Sequence, residues 1–105
     1  MIARIWKGVT RKGDAKRYLA YLKATGLKDY AATRGNTGTY VLTRQVGANT
    51  EFLLLSLWRS MEDIKGFAGE EVEKAIYYPE DKKFLLDLVP TVDHYEVAVA
   101  TVKKH

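Results

Sequence analysis

The sequence predicts one α+β domain of the ferredoxin-like kind, a βαββαβ sandwich whose second helical unit is split in two. Three observations carry this. Four runs rich in strand formers recur along the chain, an amphipathic helical pattern separates the first two, and two short helix starts separate the last two. The first run, Ile2 to Gly8, alternates and is read as a strand. Asp14 is placed to cap a helix whose apolar positions Ala15, Tyr18, Leu19 and Leu22 follow the i, i+3, i+4, i+7 rule. Gly26 is expected to end it in the left-handed conformation, with Leu27 folding back on Leu22.

The cluster Thr33 to Gly38 reads as a turn, and Thr39 to Val46 as the second strand. Gly47 to Thr50 then closes a hairpin onto a third, Glu51 to Arg59. Ser60, with Asp63 three residues on, opens a short helix through Ala68, which Gly69 ends or kinks. A further turn is expected over Glu70 to Ile76. Pro79 suits the first position of another short helix, with Glu80 and Asp81 at its positive end. The last strand is expected from Val92 to about Thr101.

A length of 105 residues fits a single domain over 1–105. Hydrophobic residues at 47% and charged residues at 29% describe an ordinary globule rather than a disordered segment. No apolar run approaches the roughly 20 residues that span a bilayer, so no membrane partner is expected. The first residues lack the apolar region of a secretory signal, and with no cysteine there is no disulfide framework; the expected location is cytoplasmic. The net charge of +4 collects in Lys7 to Arg17 and at Lys103-Lys104. This reads as solvated surface, because a nucleic-acid footprint needs a denser basic patch.

Alternation sorts each strand into two faces. One parity gives Ala3 and Ile5, Val41 and Thr43, Leu53, Leu55 and Leu57, and Tyr95, Val97 and Val99. This nearly pure apolar face is where the helices are expected to pack. The other parity gives Arg4 and Trp6, Tyr40, Leu42 and Arg44, Phe52, Leu54, Ser56 and Trp58, and His94, Glu96 and Ala98. It is too greasy for solvent and too polar for a plain core. Apolar walls with a few convergent polar groups suit a covered cavity for a small molecule.

Within that set Trp58 offers a flat wall with one N–H donor, or plugs the end of the core. His94 is placed for general-base chemistry near neutral pH, or for a structural hydrogen bond. Arg44 offers charge-assisted bonds to an anion, or a rim salt bridge. Arg4, Trp6, Tyr40, Phe52, Leu54, Ser56 and Glu96 complete the expected substrate-binding surface, with Arg4 and Glu96 also able to neutralise each other. Tyr77-Tyr78 before Pro79 reads as a structural turn. No metal is expected, since His94 and His105 are the only histidines and no ligand spacing surrounds them.

The order of elements, with "EFLLLSLWRSMEDIKGFAGE", "AIYYPEDKKFL" and the closing "VDHYEVAV", resembles the antibiotic-biosynthesis-monooxygenase (ABM) superfamily over nearly the whole chain. The resemblance implies a dimeric α+β barrel, two subunits placing their sheets face to face with the mixed face lining a pocket. It also implies oxygenase chemistry without metal or organic cofactor, on a phenolic or quinone-like aromatic, with His94, Trp58 and Arg44 as the catalytic set. The alternative function is a non-catalytic homodimer that binds a small apolar or aromatic metabolite. The haem-degrading branch of that superfamily carries a ligand His after the third strand, where this chain has Gly69 to Lys74 without one, so haem binding is not expected.

Overall fold

The computed structural model describes residues 1–103; Lys104 and His105, and the charge and histidine read there, lie outside the described residues. Four antiparallel strands form one sheet: β1 (Ile2–Arg11), β2 (Asn36–Val46), β3 (Asn49–Trp58) and the short β4 (Asp93–Glu96), in the spatial order β2-β3-β1-β4. Between β1 and β2 lie a single 3₁₀ turn (Lys12–Asp14), α1 (Ala15–Ala24) and α2 (Gly26–Ala32). Between β3 and β4 lie α3 (Met61–Ala68) and the one-turn α4 (Asp81–Phe84). The α+β, ferredoxin-like architecture is the one expected.

Local chemistry sets most boundaries. Ser60 Oγ accepts the Asp63 N–H at 3.2 Å, which caps α3. Gly69, at φ 80°, ends it in a conformation that favours glycine. At the end of α1 the structure departs from expectation. The chain bends at Thr25, whose N–H bonds back to Tyr21 O at 3.0 Å, and helix resumes at Gly26 without a left-handed residue. The Tyr78 ring lies 3.7 Å from where a Gly26 Cβ would stand, an ordinary contact distance, so neither backbone nor packing demands glycine here. Residues 70–80 are mostly irregular, and the last strand is four residues long, because only Asp93 to Glu96 find partners on β1.

Register decides which side chains share a face. β1 pairs with β3 as Ile2 with Trp58, Arg4 with Ser56, Trp6 with Leu54 and Gly8 with Phe52. β4 pairs with β1 as Arg4 with His94 and Ile2 with Glu96. The β2–β3 hairpin has a two-residue turn, Gly47-Ala48, so Val46 meets Asn49 and even-numbered β2 residues oppose odd-numbered β3 residues. Tyr40, Leu42 and Arg44 therefore face with Leu55, Leu53 and Glu51, not with Phe52, Leu54 and Trp58 as the sequence grouping had them.

The helices also cover the opposite face from the one expected. Tyr18, Leu22, Tyr30 and Ile64 pack with Trp6, Phe52, Leu54 and Trp58 in one core. The mixed face is thus the inner one. Its aromatic residues need burial, and the Arg4 Nη atoms, Trp6 Nε1 and Ser56 Oγ find hydrogen-bond partners there, though Arg4 Nε does not. The apolar parity is left open: Leu53, Leu55, Leu57 and Ile5 are only half-buried, while Tyr40, Leu42 and Tyr95 are exposed.

Candidate functional site

Arg4 stands at the centre of the inner face, 2% exposed. Its Nη1 donates to Val72 O at 2.6 Å and lies 3.2 Å from His94 Nε2, and its Nη2 donates to Lys74 O at 3.0 Å. The guanidinium carbon lies 5.7 Å from the Phe67 ring centroid, within cation–π range. These contacts pin the irregular 70–80 segment to the sheet. Burial pulls the Arg4 pKa down from its ordinary value, and the neighbouring Tyr30 hydroxyl opposes that.

Along the same strand, Trp6 Nε1 donates to the Tyr77 hydroxyl at 3.2 Å, and that hydroxyl donates to Val89 O at 2.6 Å. The Trp6 ring lies over Gly8, where an added Cβ would come within 2.2 Å of it. From α1, the Tyr18 hydroxyl donates to Asp81 Oδ1 at 3.1 Å, while Asp81 Oδ2 accepts the Tyr78 N–H at 2.6 Å. Asp81 is 3% exposed, and burial raises its pKa against the lowering effect of those two donors. Burial, followed by the Asp81 charge, drives the Tyr18 phenol far up, so it stays a donor. Tyr30 is raised as well, by burial against the lowering pull of Arg4.

These groups enclose a small cavity between the sheet and the helices. Arg4, Trp6, Tyr18, Tyr30, Tyr77, Tyr78 and Asp81 line it, with Leu22, Leu54, Phe67 and Val92 as apolar wall. Its volume is about 20 Å³, room for about one water. It holds one cation, one carboxyl and four phenols against an aromatic lining. Such a site can grip a ring and exchange protons with its substituents.

The expected site residues divide into four groups. Arg4, Trp6 and Leu54 line the cavity. Phe52, Ser56 and Trp58 share its face but belong to the packed core. Trp58 is fully buried, its Nε1 donating to Ser56 Oγ at 2.9 Å and its ring edge-on to Tyr30, with centroids 6.0 Å apart. Ser56 Oγ in turn reaches Arg4 O at 3.4 Å. The indole donor is therefore spent inside the protein, and Trp58 is not among the residues lining the cavity. His94 is half-buried beside Arg4, with its pKa lowered by burial and then by the Arg4 charge. Its Nε2 lone pair faces the Arg4 donor. Glu96 is exposed on the same strand and makes no ion pair with Arg4.

Tyr40 and Arg44 lie on the open face. Arg44 Nε donates to Glu51 Oε1 at 2.5 Å, an exposed pair. A shallow groove of about 420 Å³ runs there past Lys7, Val9, Leu42, Arg44 and Leu53. Arg44 is therefore not brought together with His94 and Trp58. Conversely, sequence reasoning missed Tyr18, Tyr30 and Asp81. The first two lie at apolar positions of helices, and the third was read only as helix-start charge. The available signal was Asp81 three residues after Tyr78, the spacing at which a carboxylate caps a backbone N–H.

Among the described residues, no group of three or more His, Cys, Asp or Glu side chains could hold a metal, and no helix is long and apolar enough to cross a membrane. His94 is the only histidine among the described residues, and its Nε2 is engaged by Arg4.

No protein-family model matches the chain, and no curated protein matches its sequence. Solved structures do match. A candidate antibiotic biosynthesis monooxygenase from Bacillus cereus superposes with a TM-score of 0.65 at 16% identity, covering 97% of both chains. The NE2512 protein of unknown function from Nitrosomonas europaea gives 0.64 at 16% identity, over 99% of this chain and 95% of that one. A point variant of MhuD with two manganese protoporphyrin IX bound per active site gives 0.62 at 15% identity, over 98% of this chain and all of that one. The chain thus has the fold of the antibiotic-biosynthesis-monooxygenase-like proteins.

Proposed function

We propose that the protein binds a small phenolic or quinone-like aromatic in the cavity between sheet and helices, and oxidises it with dioxygen without a metal or organic cofactor. The observation that carries this reading is a buried aromatic cavity holding both a cation, Arg4, and a carboxyl, Asp81. The fold shared with a candidate monooxygenase supports it. A ring needs more than 20 Å³, so the ligand enters by displacing the irregular 70–80 wall, which follows the left-handed Gly69.

In this mechanism Asp81 accepts a proton from the bound ring. Each of its oxygens keeps a second lone pair beside the one taken by Tyr18 or Tyr78, and its raised pKa makes it the stronger base. The electron-rich anion then gives its electrons to dioxygen. For a hydroxyanthrone-like ring, the reacting CH₂ becomes a carbonyl by gaining one oxygen atom, and its two hydrogens leave with the other oxygen as water. His94, its Nε2 turned to Arg4, orients that guanidinium rather than acting as the base.

The test is oxygen uptake with several hydroxyanthrones and hydroquinones, in air and under nitrogen. Uptake that Asp81→Asn lowers more than ~10-fold in kcat, within the range usual for loss of a general base, is the expected result. The second reading, a non-catalytic binder of the same aromatics, is the result if ligands bind and no oxygen is consumed.

The same proposal extends to assembly. Ile5, Tyr40, Leu42, Leu53, Leu55, Leu57 and Tyr95 give the open face a continuous apolar character. A second copy stacked sheet on sheet would cover it as a dimeric barrel. The buried surface is then the apolar face, whereas the sequence expectation had Trp6, Phe52, Leu54 and Trp58 exposed for pairing; in the structure they are already covered by the helices.

A further inference from the structure

A guanidinium carries five N–H donors. Arg4 uses three of them: two on Nη1, toward Val72 O and His94 Nε2, and one on Nη2, toward Lys74 O. Nε–H is buried without a partner, and the remaining Nη2 hydrogen has only the neutral Tyr30 hydroxyl near it. All three partners are neutral. Among the described residues no carboxylate forms an ion pair with Arg4, although it is 2% exposed. A buried charge with no counter-ion is costly, and proteins ordinarily pair such groups. Here the unpaired cation lines the cavity, and its Nε–H is one of the few buried side-chain donors or acceptors without a partner.

We infer that Arg4 is the anion-binding residue of the cavity and that the natural ligand is an aromatic carboxylic acid, whose carboxylate completes the guanidinium's unfilled donors. This rests on the aromatic-pocket reading and narrows its ligand class. A carboxylate supplies two acceptor oxygens for the two remaining N–H groups and the missing negative charge at once. A neutral phenol or amide supplies at most the hydrogen bonds. Tyr30 does not replace the ligand's charge, because burial keeps its phenol protonated.

The test compares benzoate with benzamide, and 2-naphthoate with 2-naphthamide, on the wild-type protein at pH 7.5. Affinity is read by calorimetry, and the Arg4 Nε–H and Trp6 indole N–H resonances are followed by NMR. The expected result is that each acid binds about 10-fold or more tighter than its amide, as charge-assisted bonds to a buried cation require. The Arg4 Nε–H signal should shift on titration, and Arg4→Gln should bring the acid-to-amide ratio close to one. Should that variant fail to fold, the wild-type ratio and the Nε–H shift decide the matter alone. Equal affinities with the Trp6 signal moving would overturn the carboxylate and leave the aromatic pocket standing. Acids that bind without moving Arg4 Nε–H would also overturn it. No shift at Trp6 with any probe would remove both readings.

Discussion

Gly8 and Trp58 show how single residues fix the inner face. Any side chain at position 8 meets the Trp6 ring, which closes the cavity above it. Gly8→Ala should therefore displace that ring and cost about 1–3 kcal/mol, the usual range for overpacking, read as a lower midpoint in urea. Trp58 was expected either to line a pocket or to plug the core; in the structure it is fully buried and its indole N–H is bonded to Ser56 Oγ. Ser56→Ala strands that donor in a fully buried place. The expected loss is about 1–3 kcal/mol, with little change in ligand affinity.

Protonation at His94 belongs to the same scale. Its folded pKa lies below the ordinary value, so the unfolded chain binds the proton more readily and stability rises with pH through this window. The contribution is complete above about 6.5 and is lost as pH falls through the folded pKa. Asp81 acts oppositely and lower. Its raised pKa gives a contribution present below the ordinary carboxyl value and lost as pH rises through the folded one. Thermal midpoints should thus fall between pH 7 and pH 5, and His94→Gln should flatten that slope. An unchanged slope would take His94 out of the linkage.

At the scale of elements, the strands, their order and the capped start of α3 were legible, because alternation and the Ser60–Asp63 spacing are local signals. The faces were less so. Sorting by composition placed Tyr40, Leu42 and Arg44 with Trp58, although an even-length turn forces opposite parities to meet across a hairpin. The choice of inner face failed for a different reason. A row of leucines looks like a core, and nothing local says that Arg4 will find backbone carbonyls 68 and 70 residues away. Gly26 was misread as well, since its φ is not positive and helix resumes there rather than stopping. The cavity's carboxyl, Asp81, was hidden because its partners come from α1 and from the turn before α4.

For the whole molecule, the open sheet face sets the expected assembly. A dimer built on it should show twice the 11.9 kDa chain mass by light scattering at micromolar concentration. Leu55→Glu, at the middle of that face, should halve the measured mass while leaving far-UV circular dichroism unchanged, because a charge buried without a partner disfavours association. A monomeric wild type would leave the half-exposed leucines without an assigned role and would sink the barrel.

If the ligand-binding cavity lies under the helices and not on the open face, the two tryptophans report it directly. In a proton–nitrogen correlation spectrum titrated with 1-naphthol, the Trp6 indole N–H should shift, because its ring lines the cavity and its donor is tied to Tyr77. The Trp58 indole N–H, locked on Ser56 in the core, should stay nearly still. Shifts confined to the amides of Lys7, Leu42 and Leu53 along the open groove, with both indoles unmoved, would place the ligand on the open face instead.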